Sequence, residues 1–96
     1  MDTVIKIYTE EKKNLPQLTN KYFQGATLYR ATGIWEGIQE KATIIEIYGN
    51  GTNFDKAIEL AEEINLINNQ QATLVVSQNL IHGTGQIQLV VHKKKA

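Results

Sequence analysis

The stretch TIIEIYGNGTNFDKAIELAEEI, residues 43–64, joins two patterns of different period. Its first part, Thr43–Tyr48, is rich in β-branched and aromatic residues, a composition typical of strands. Gly49–Gly51 ends that strand, and Thr52 followed three residues later by Asp55 resembles a capping box. Apolar residues then recur at three- and four-residue steps: Phe54, Ala57, Ile58, Ala61 and Ile64. The stretch therefore predicts a strand (strand 3) that leads into an amphipathic helix (helix 2).

Working outward, four more strands are predicted from β-branched or alternating runs: Thr3–Tyr8, Ala26–Thr32, Ala72–Ser77 and Ile87–His92. Apolar spacing from Leu15 to Phe23 predicts a short helix 1, with Pro16 in its first turn, where a missing N–H has no intrahelical partner. The order β-α-β-β-α-β with an appended strand predicts an α+β domain of the ferredoxin-like plan. In that plan an antiparallel sheet carries two helices on one face, here with an extra C-terminal strand. We assign residues 1–92 to this single domain and residues 93–96 to a basic tail.

Composition narrows the class of protein. The chain has 96 residues and no cysteine, which excludes disulfides, thiolate metal sites and a cysteine nucleophile. Ten Lys and Arg balance ten Asp and Glu, so the basic surplus expected of a nucleic-acid or membrane-surface binder is absent. We therefore predict no cofactor, no metal, no nucleic-acid partner and no membrane partner.

The same sequence indicates where the protein works. No apolar run approaches the roughly 20 residues needed to span a bilayer, and the start of the chain does not fit a signal peptide. We therefore expect a cytoplasmic protein. Abundant Ile, Asn, Lys and Gln suggest an AT-rich genome, that of a bacterium or of one of its phages or plasmids.

Two helices cover only one face of a sheet, and strand alternation predicts the side chains on the other face. They are apolar or aromatic: Val4, Tyr8, Tyr29, Ile44, Tyr48 and Val75. A patch of this kind usually marks an interface, which predicts self-association as a dimer or trimer. A surface for a ligand or another protein is the alternative.

Aromatic residues on such a face are also found in the RNA-recognition fold, but the residues here do not fit that fold. Thr43 and Ile45 stand where interior aromatics belong, and Glu46 repels phosphate. Together with zero net charge, this argues against nucleic-acid binding.

A hairpin loop over Gly33–Glu40 is predicted between strands 2 and 3, and it contains the only tryptophan. Trp and Arg are favoured as anchors in interfaces, so the loop is a candidate ligand or partner site. Its predicted residues are Arg30, Trp35, Glu36, Gly37 and Glu40. In the alternative interpretation, Trp35 caps the core or contacts a neighbouring subunit, Arg30 pairs with Glu36 or Glu40, and the glutamates are solvated.

No catalytic or metal-binding group is predicted. His82 and His92 lie at opposite ends of a predicted hairpin strand, too far apart to share a metal in one subunit. The Tyr and Thr hydroxyls form no recognisable nucleophile arrangement.

Four segments resemble a small bacterial family known only as a domain of unknown function. They are Gly25-Ala26-Thr27, Gly33-Ile34-Trp35, Glu40-Lys41-Ala42 and residues 70–76, and the match covers about half of the chain. The topology, with Gly25-x-Thr27 and Gly33, also resembles the PII signalling and CutA-like proteins. That resemblance implies a trimer whose loop between strands 2 and 3 binds partner proteins. Residues 65–71 contain neither Gly nor Lys, so nucleotide binding of the PII type is not expected.

These observations lead to one functional hypothesis and two alternatives. We expect a non-catalytic, homo-oligomeric binding or regulatory module of PII-like type, which engages a small molecule or a protein through the loop between strands 2 and 3. The first alternative is a small ferredoxin-like enzyme, such as an isomerase or cofactor-free oxygenase, which needs an acid or base in a pocket. The second is a phage or plasmid accessory protein.

Overall fold

A computed structural model describes residues 2–92, which form a five-stranded antiparallel sheet and two helices. The elements are β1 (Thr3–Glu10), α1 (Leu15–Asn20), β2 (Thr27–Trp35), β3 (Ile38–Gly49), α2 (Asn53–Ile67), β4 (Ala72–Asn79) and β5 (Gly85–Val91). The strands lie in the order β2-β3-β1-β4-β5, and each neighbouring pair is antiparallel. The predicted α+β class, the two helices and the extra C-terminal strand are confirmed. The predicted basic tail lies outside the described residues.

The core lies between one face of the sheet and both helices. Alternate residues of the inner strands β1 and β3 are fully or almost fully buried, among them Ile5, Ile7, Ile45 and Ile47. Leu60 and Ile64 of α2 pack in the same cluster, as do Leu15 and Leu18 of α1. The apolar stripe of α2 thus contacts the sheet as the spacing predicts. Neither helix is long and apolar enough to cross a membrane, as far as residues 2–92 are concerned.

A buried polar network joins α2 to the sheet. The Asn65 side-chain amide donates to the Val90 carbonyl oxygen at 2.9 Å, and its oxygen accepts from the Thr73 hydroxyl at 2.7 Å. The Gln70 amide donates to Thr73 Oγ1 at 2.8 Å and accepts from the Thr9 hydroxyl at 2.8 Å. These groups are buried and hydrogen-bonded to one another, so the network links β1, α2, β4 and β5 in a single arrangement.

The orientation predicted for β4 was wrong. The register places Val75 opposite Ile7 and Ser77 opposite Ile5, so Val75 faces the helices and is fully buried. Val75 therefore does not belong to the predicted interface. The strand carries apolar residues on both faces, and alternation alone does not choose between them. The choice follows from Thr73, whose hydroxyl finds its partners on the helix side.

The predicted loop over Gly33–Glu40 was also wrong. β2 and β3 pair as far as Trp35 and Ile38, and the connection is the two-residue turn Glu36-Gly37. Both turn residues have positive φ, 50° and 79°, which matches the twist of the flanking strands as in a type I′ hairpin. The result is a projecting β-arm whose tip exposes three large apolar side chains, Ile34, Trp35 and Ile38.

Candidate functional site

The face of the sheet opposite the helices, here called the open face, carries aromatic and apolar side chains in register. One cross-strand row contains Tyr29, Ile44, Tyr8, Leu74 and Leu89. The predicted open-face residues Val4, Tyr8, Tyr29, Ile44 and Tyr48 all lie on this side. Val4 is almost covered by its neighbours, whereas the three tyrosines are exposed. The face therefore has many apolar side chains, including three aromatic rings, around the charged pair of Lys6 and Glu46.

A carboxylate sits among these tyrosines. The Tyr29 hydroxyl donates to one oxygen of Glu46 at 2.7 Å, and the Tyr48 hydroxyl donates to the other at 2.5 Å. These two hydrogen bonds, aided by the charge of Lys6, lower the pKa of Glu46. The bond to Glu46 raises the pKa of Tyr29 to about 12 and also raises that of Tyr48. At neutral pH the site is thus an ionised carboxylate held by two protonated tyrosines.

This coupling predicts a titration that depends on Glu46. In the wild type we expect Tyr29 to ionise near pH 12, and in Glu46→Gln we expect its pKa to fall toward the ordinary value of about 10. Carbon-13 NMR of the tyrosine Cζ atoms measures both values, with circular dichroism to show that the chain stays folded. Glu36→Gln, at the tip of the arm, is the matched control and leaves Tyr29 unchanged. An unchanged Tyr29 in Glu46→Gln would contradict the hydrogen bond.

The sign of the accompanying stability effect follows from the pKa of Glu46. Folding lowers this pKa, so the carboxylate favours the folded state at neutral pH. That contribution is lost as the pH falls through the pKa of the folded state.

A cleft adjoins the tyrosines where the β-arm leaves the sheet. Tyr8 and Ile44 form its border with the cluster, and Gly33 lies at the base of the arm. Its polar lining includes Glu10, Glu40, Lys41 and Gln70. The volume is about 320 Å³, near the lower end for small-molecule sites. The open face thus combines an aromatic carboxylate cluster with a neighbouring charged cleft.

The structure separates the residues predicted for the loop site. Glu40 lines the cleft, whereas Glu36 and Gly37 form the tip of the arm and Trp35 projects beside them with 70% of its surface exposed. Arg30 lies on the helix side of β2, and its Nε contacts Glu11 at 2.9 Å. The predicted pairing of Arg30 with Glu36 or Glu40 was therefore wrong, because Glu11 follows directly after β1 on the helix side.

Sequence reasoning missed Glu46 as a site residue, since it was considered only as a charge that repels phosphate. The signal was present in the chain. Glu46 and Tyr48 are two residues apart on one strand and so share a face. Tyr29 joins them from β2, because it lies opposite Ile44 and thus diagonal to Glu46. No group of His, Asp and Glu within residues 2–92 is arranged to hold a metal.

The chain is similar to known proteins in its structure and not in its sequence. No protein-family model matches the chain, and no curated protein is significantly similar in sequence. Two solved structures share the fold, with TM-scores of 0.72 and 0.71. Both are of a phage SAM lyase. The first, in the apo state, is 14% identical, and the match covers 99% of this chain and 93% of the other. The second, in complex with S-methyl-5′-thioadenosine, is 13% identical, and the match covers 94% of this chain and 89% of the other.

This likeness overturns the predicted function. The fold that was taken to indicate a non-catalytic, PII-like module occurs in a SAM lyase, an enzyme that the second structure shows with a nucleoside bound. The preference for a non-catalytic module over an enzyme was wrong on the same finding, because the fold occurs in an enzyme. The resemblance to a family of unknown function stays a prediction.

Proposed function

We propose that this protein is an enzyme that cleaves S-adenosylmethionine (SAM) as a lyase, with its site on the open face around Glu46. The observation that carries the proposal is the ionised carboxylate of Glu46, which is held between Tyr29 and Tyr48 on a face with many apolar side chains and lies opposite Lys6. The fold shared with the phage SAM lyase supports the reaction class.

The cluster suits the charge of this substrate. SAM carries a positive sulfur with three carbon substituents, which cannot donate a hydrogen bond and is attracted by negative charge and by aromatic faces. Aromatic rings recognise quaternary ammonium groups in the same way. Glu46 supplies the negative charge, and Tyr8, Tyr29 and Tyr48 supply the rings.

The neighbouring cleft suits the rest of the molecule. The aminocarboxypropyl arm of SAM ends in an ammonium and a carboxylate. Glu10 and Glu40 line the cleft as partners for the ammonium. In this arrangement the sulfur lies at Tyr8 and Glu46. The aminocarboxypropyl group points toward Gly33, where the β-arm leaves the sheet.

A lyase reaction that yields S-methyl-5′-thioadenosine breaks the bond between sulfur and that arm. Sulfur keeps the electron pair and becomes a neutral thioether, while the carbon that it leaves forms a new bond to an oxygen of the arm's own carboxylate and closes a five-membered lactone. The step therefore needs no oxidant, water or other co-reactant. Surroundings that exclude water favour a step in which charge disappears, so the apolar side chains beside the carboxylate matter for the reaction. We assign Glu46 the role of binding and positioning the sulfonium.

Self-association belongs to this proposal. The open face is a surface rather than an enclosed cavity, and one chain leaves much of a bound SAM in water. A second copy over this face would exclude that water, as the exposed tyrosines suggest. We also assign the first four strands and two helices to the ferredoxin-like plan, with β5 added at the edge.

The test is formation of S-methyl-5′-thioadenosine from SAM, followed by chromatography against a protein-free control. We expect Glu46→Gln to lower kcat/KM at least tenfold, mainly through KM, because the variant keeps the shape of the site but loses its charge. The matched control is Glu36→Gln, at the tip of the arm, which we expect to leave both constants unchanged.

Two results would contradict the proposal. If the folded wild type releases no S-methyl-5′-thioadenosine above the protein-free control, the lyase reaction is wrong. If the wild type and Glu46→Gln both release S-methyl-5′-thioadenosine with equal kcat/KM, the reaction class is right and the assigned site is wrong.

A further inference from the structure

The strands present a single basic side chain to the open face. Along the register of residues 2–92, the acids at open-face positions are Glu10, Glu40 and Glu46. The base is Lys6, which lies on the central strand β1 and shares its face with Tyr8, two residues further on. The other bases within the strands, Arg30 and Lys41, occupy the alternate positions, which face the helices.

Lys6 is free to bind an anion. It is half-buried and lies opposite Glu46, but both oxygens of that carboxylate already accept hydrogen bonds from tyrosines. The Lys6 ammonium belongs to neither of the two ion pairs that residues 2–92 form. On its other side β4 places the apolar Val76. A charge among apolar neighbours is costly to cover unless a group of opposite sign pairs with it, so this position favours a negative group of a ligand.

The charges of SAM match this arrangement. Under the proposed function, on which this inference rests, the sulfonium lies at Glu46 and the ammonium at Glu10 and Glu40. The carboxylate of the aminocarboxypropyl group is the one negative group of the molecule and still needs a partner. Lys6 is the base that can receive it, because Arg30 and Lys41 lie on the other side of the sheet.

Closure of the lactone also requires the carboxylate to stay close to Lys6. One of its oxygens attacks the carbon bonded to sulfur, so these two atoms lie about 3–3.5 Å apart before the reaction. The carboxylate therefore remains beside the sulfur, at Tyr8 and Glu46, which are the neighbours of Lys6 along and across the sheet. The flexible stem of a lysine lets its ammonium reach a group in this position.

We propose that Lys6 binds the carboxylate of the aminocarboxypropyl group and so selects nucleosides that can close the lactone. The ion pair holds the attacking oxygen in place and offsets the repulsion between that carboxylate and the three acids of the open face. A nucleoside without the carboxylate has no nucleophile for the ring closure and leaves Lys6 unpaired. One side chain thus contributes to both positioning and specificity.

Binding of three nucleoside thioethers tests this role without turnover, because none of them is a sulfonium. S-Adenosylhomocysteine carries the whole aminocarboxypropyl group, S-adenosyl-3-thiopropylamine lacks only its carboxylate, and S-methyl-5′-thioadenosine lacks both charged groups. Isothermal titration calorimetry at neutral pH gives each Kd.

The variant Lys6→Met keeps a side chain of similar length and removes the charge. We expect its Kd for S-adenosylhomocysteine to rise about tenfold or more, because the carboxylate loses its partner. The Kd for S-adenosyl-3-thiopropylamine is expected to stay equal or to fall, since the site becomes more negative toward an ammonium. The Kd for S-methyl-5′-thioadenosine is expected to change by less than about twofold, because this nucleoside has no charged group near Lys6.

Lys6→Arg keeps the charge, and we expect it to bind S-adenosylhomocysteine almost as tightly as the wild type does. Lys56→Met, an exposed substitution on α2, is the matched control and leaves all three constants unchanged, with circular dichroism to show that each variant is folded. Equal binding of S-adenosylhomocysteine by wild type and Lys6→Met would overturn the proposal, as would equal weakening of all three thioethers. A wild type that binds none of them would contradict the proposed function as well. If Lys6 discriminates as expected but SAM yields no product, the lyase reaction alone is wrong.

Discussion

We expect Ile7→Ala to lower the free energy of unfolding by about 4 kcal/mol, a loss within the range found for large-to-small substitutions in protein cores. Ile7 is fully buried in the central strand, between Ile45 of β3 and Val75 of β4 and beneath the helices. Neighbours on three sides are fixed by strand pairing, so the cavity collapses little and the lost contacts are not replaced. A small domain has only about 5–15 kcal/mol of stability, so the variant is close to unfolding at 25 °C.

Urea unfolding followed by far-ultraviolet circular dichroism measures this effect. Trp35 fluorescence is a poor probe, because this side chain is exposed in the folded state. Ile34→Ala is the matched control: Ile34 lies near the tip of the β-arm, and we expect a change within about 0.5 kcal/mol. If Ile7→Ala does not fold, Ile7→Val gives a smaller loss of about 1 kcal/mol. Equal losses at Ile7 and Ile34 would contradict the placement of the core.

Asn65→Ala is expected to cost about 3 kcal/mol, although it removes no large apolar group. The substitution leaves the buried Val90 carbonyl without its side-chain donor and the Thr73 hydroxyl without its acceptor. Each buried polar group without a partner costs about 1–3 kcal/mol. The Thr73 hydroxyl also accepts a hydrogen bond from Gln70, so we expect that bond to weaken as well.

The same unfolding experiment tests this prediction. Asn20→Ala, at the exposed end of α1, removes the same amide and is expected to change stability by at most about 0.5 kcal/mol. Asn65→Ala and Thr73→Val share partners, so their double variant is expected to lose less than the sum of the two single losses. Additive losses would show that the two side chains do not interact.

The predictions that succeeded depended on local patterns that are compatible with only one orientation of a helix or strand. The spacing of Phe54, Ala57, Ala61 and Ile64 places one face of α2 on the core. The alternation of Ile5 and Ile7 likewise identifies the face of β1 that is buried against the helices. The order of strands and helices then predicted a sheet covered on one face, and the structure has that arrangement.

The predictions that failed depended on choices that a local pattern leaves open. β4 has apolar residues on both faces, and Val75 was assigned to the wrong one. The turn at Glu36-Gly37 was hidden in a longer apparent loop, because Ile34, Trp35 and Ile38 give no clear alternation. The predicted function failed for a broader reason: one fold supports several chemistries, and chemistry depends on the site.

The sequence by itself determined the class of the fold and the aromatic character of its open face. Periodicity placed the helices, balanced charge argued against nucleic acid, and tyrosines at alternate positions predicted an aromatic open face. Only the tertiary structure decided which groups meet. The pairing of β2 with β3 brings Tyr29 to Glu46 across 17 residues, and the network of Asn65 and Thr73 selects the buried face of β4. Contacts of this kind depend on register between distant segments, which no local pattern encodes.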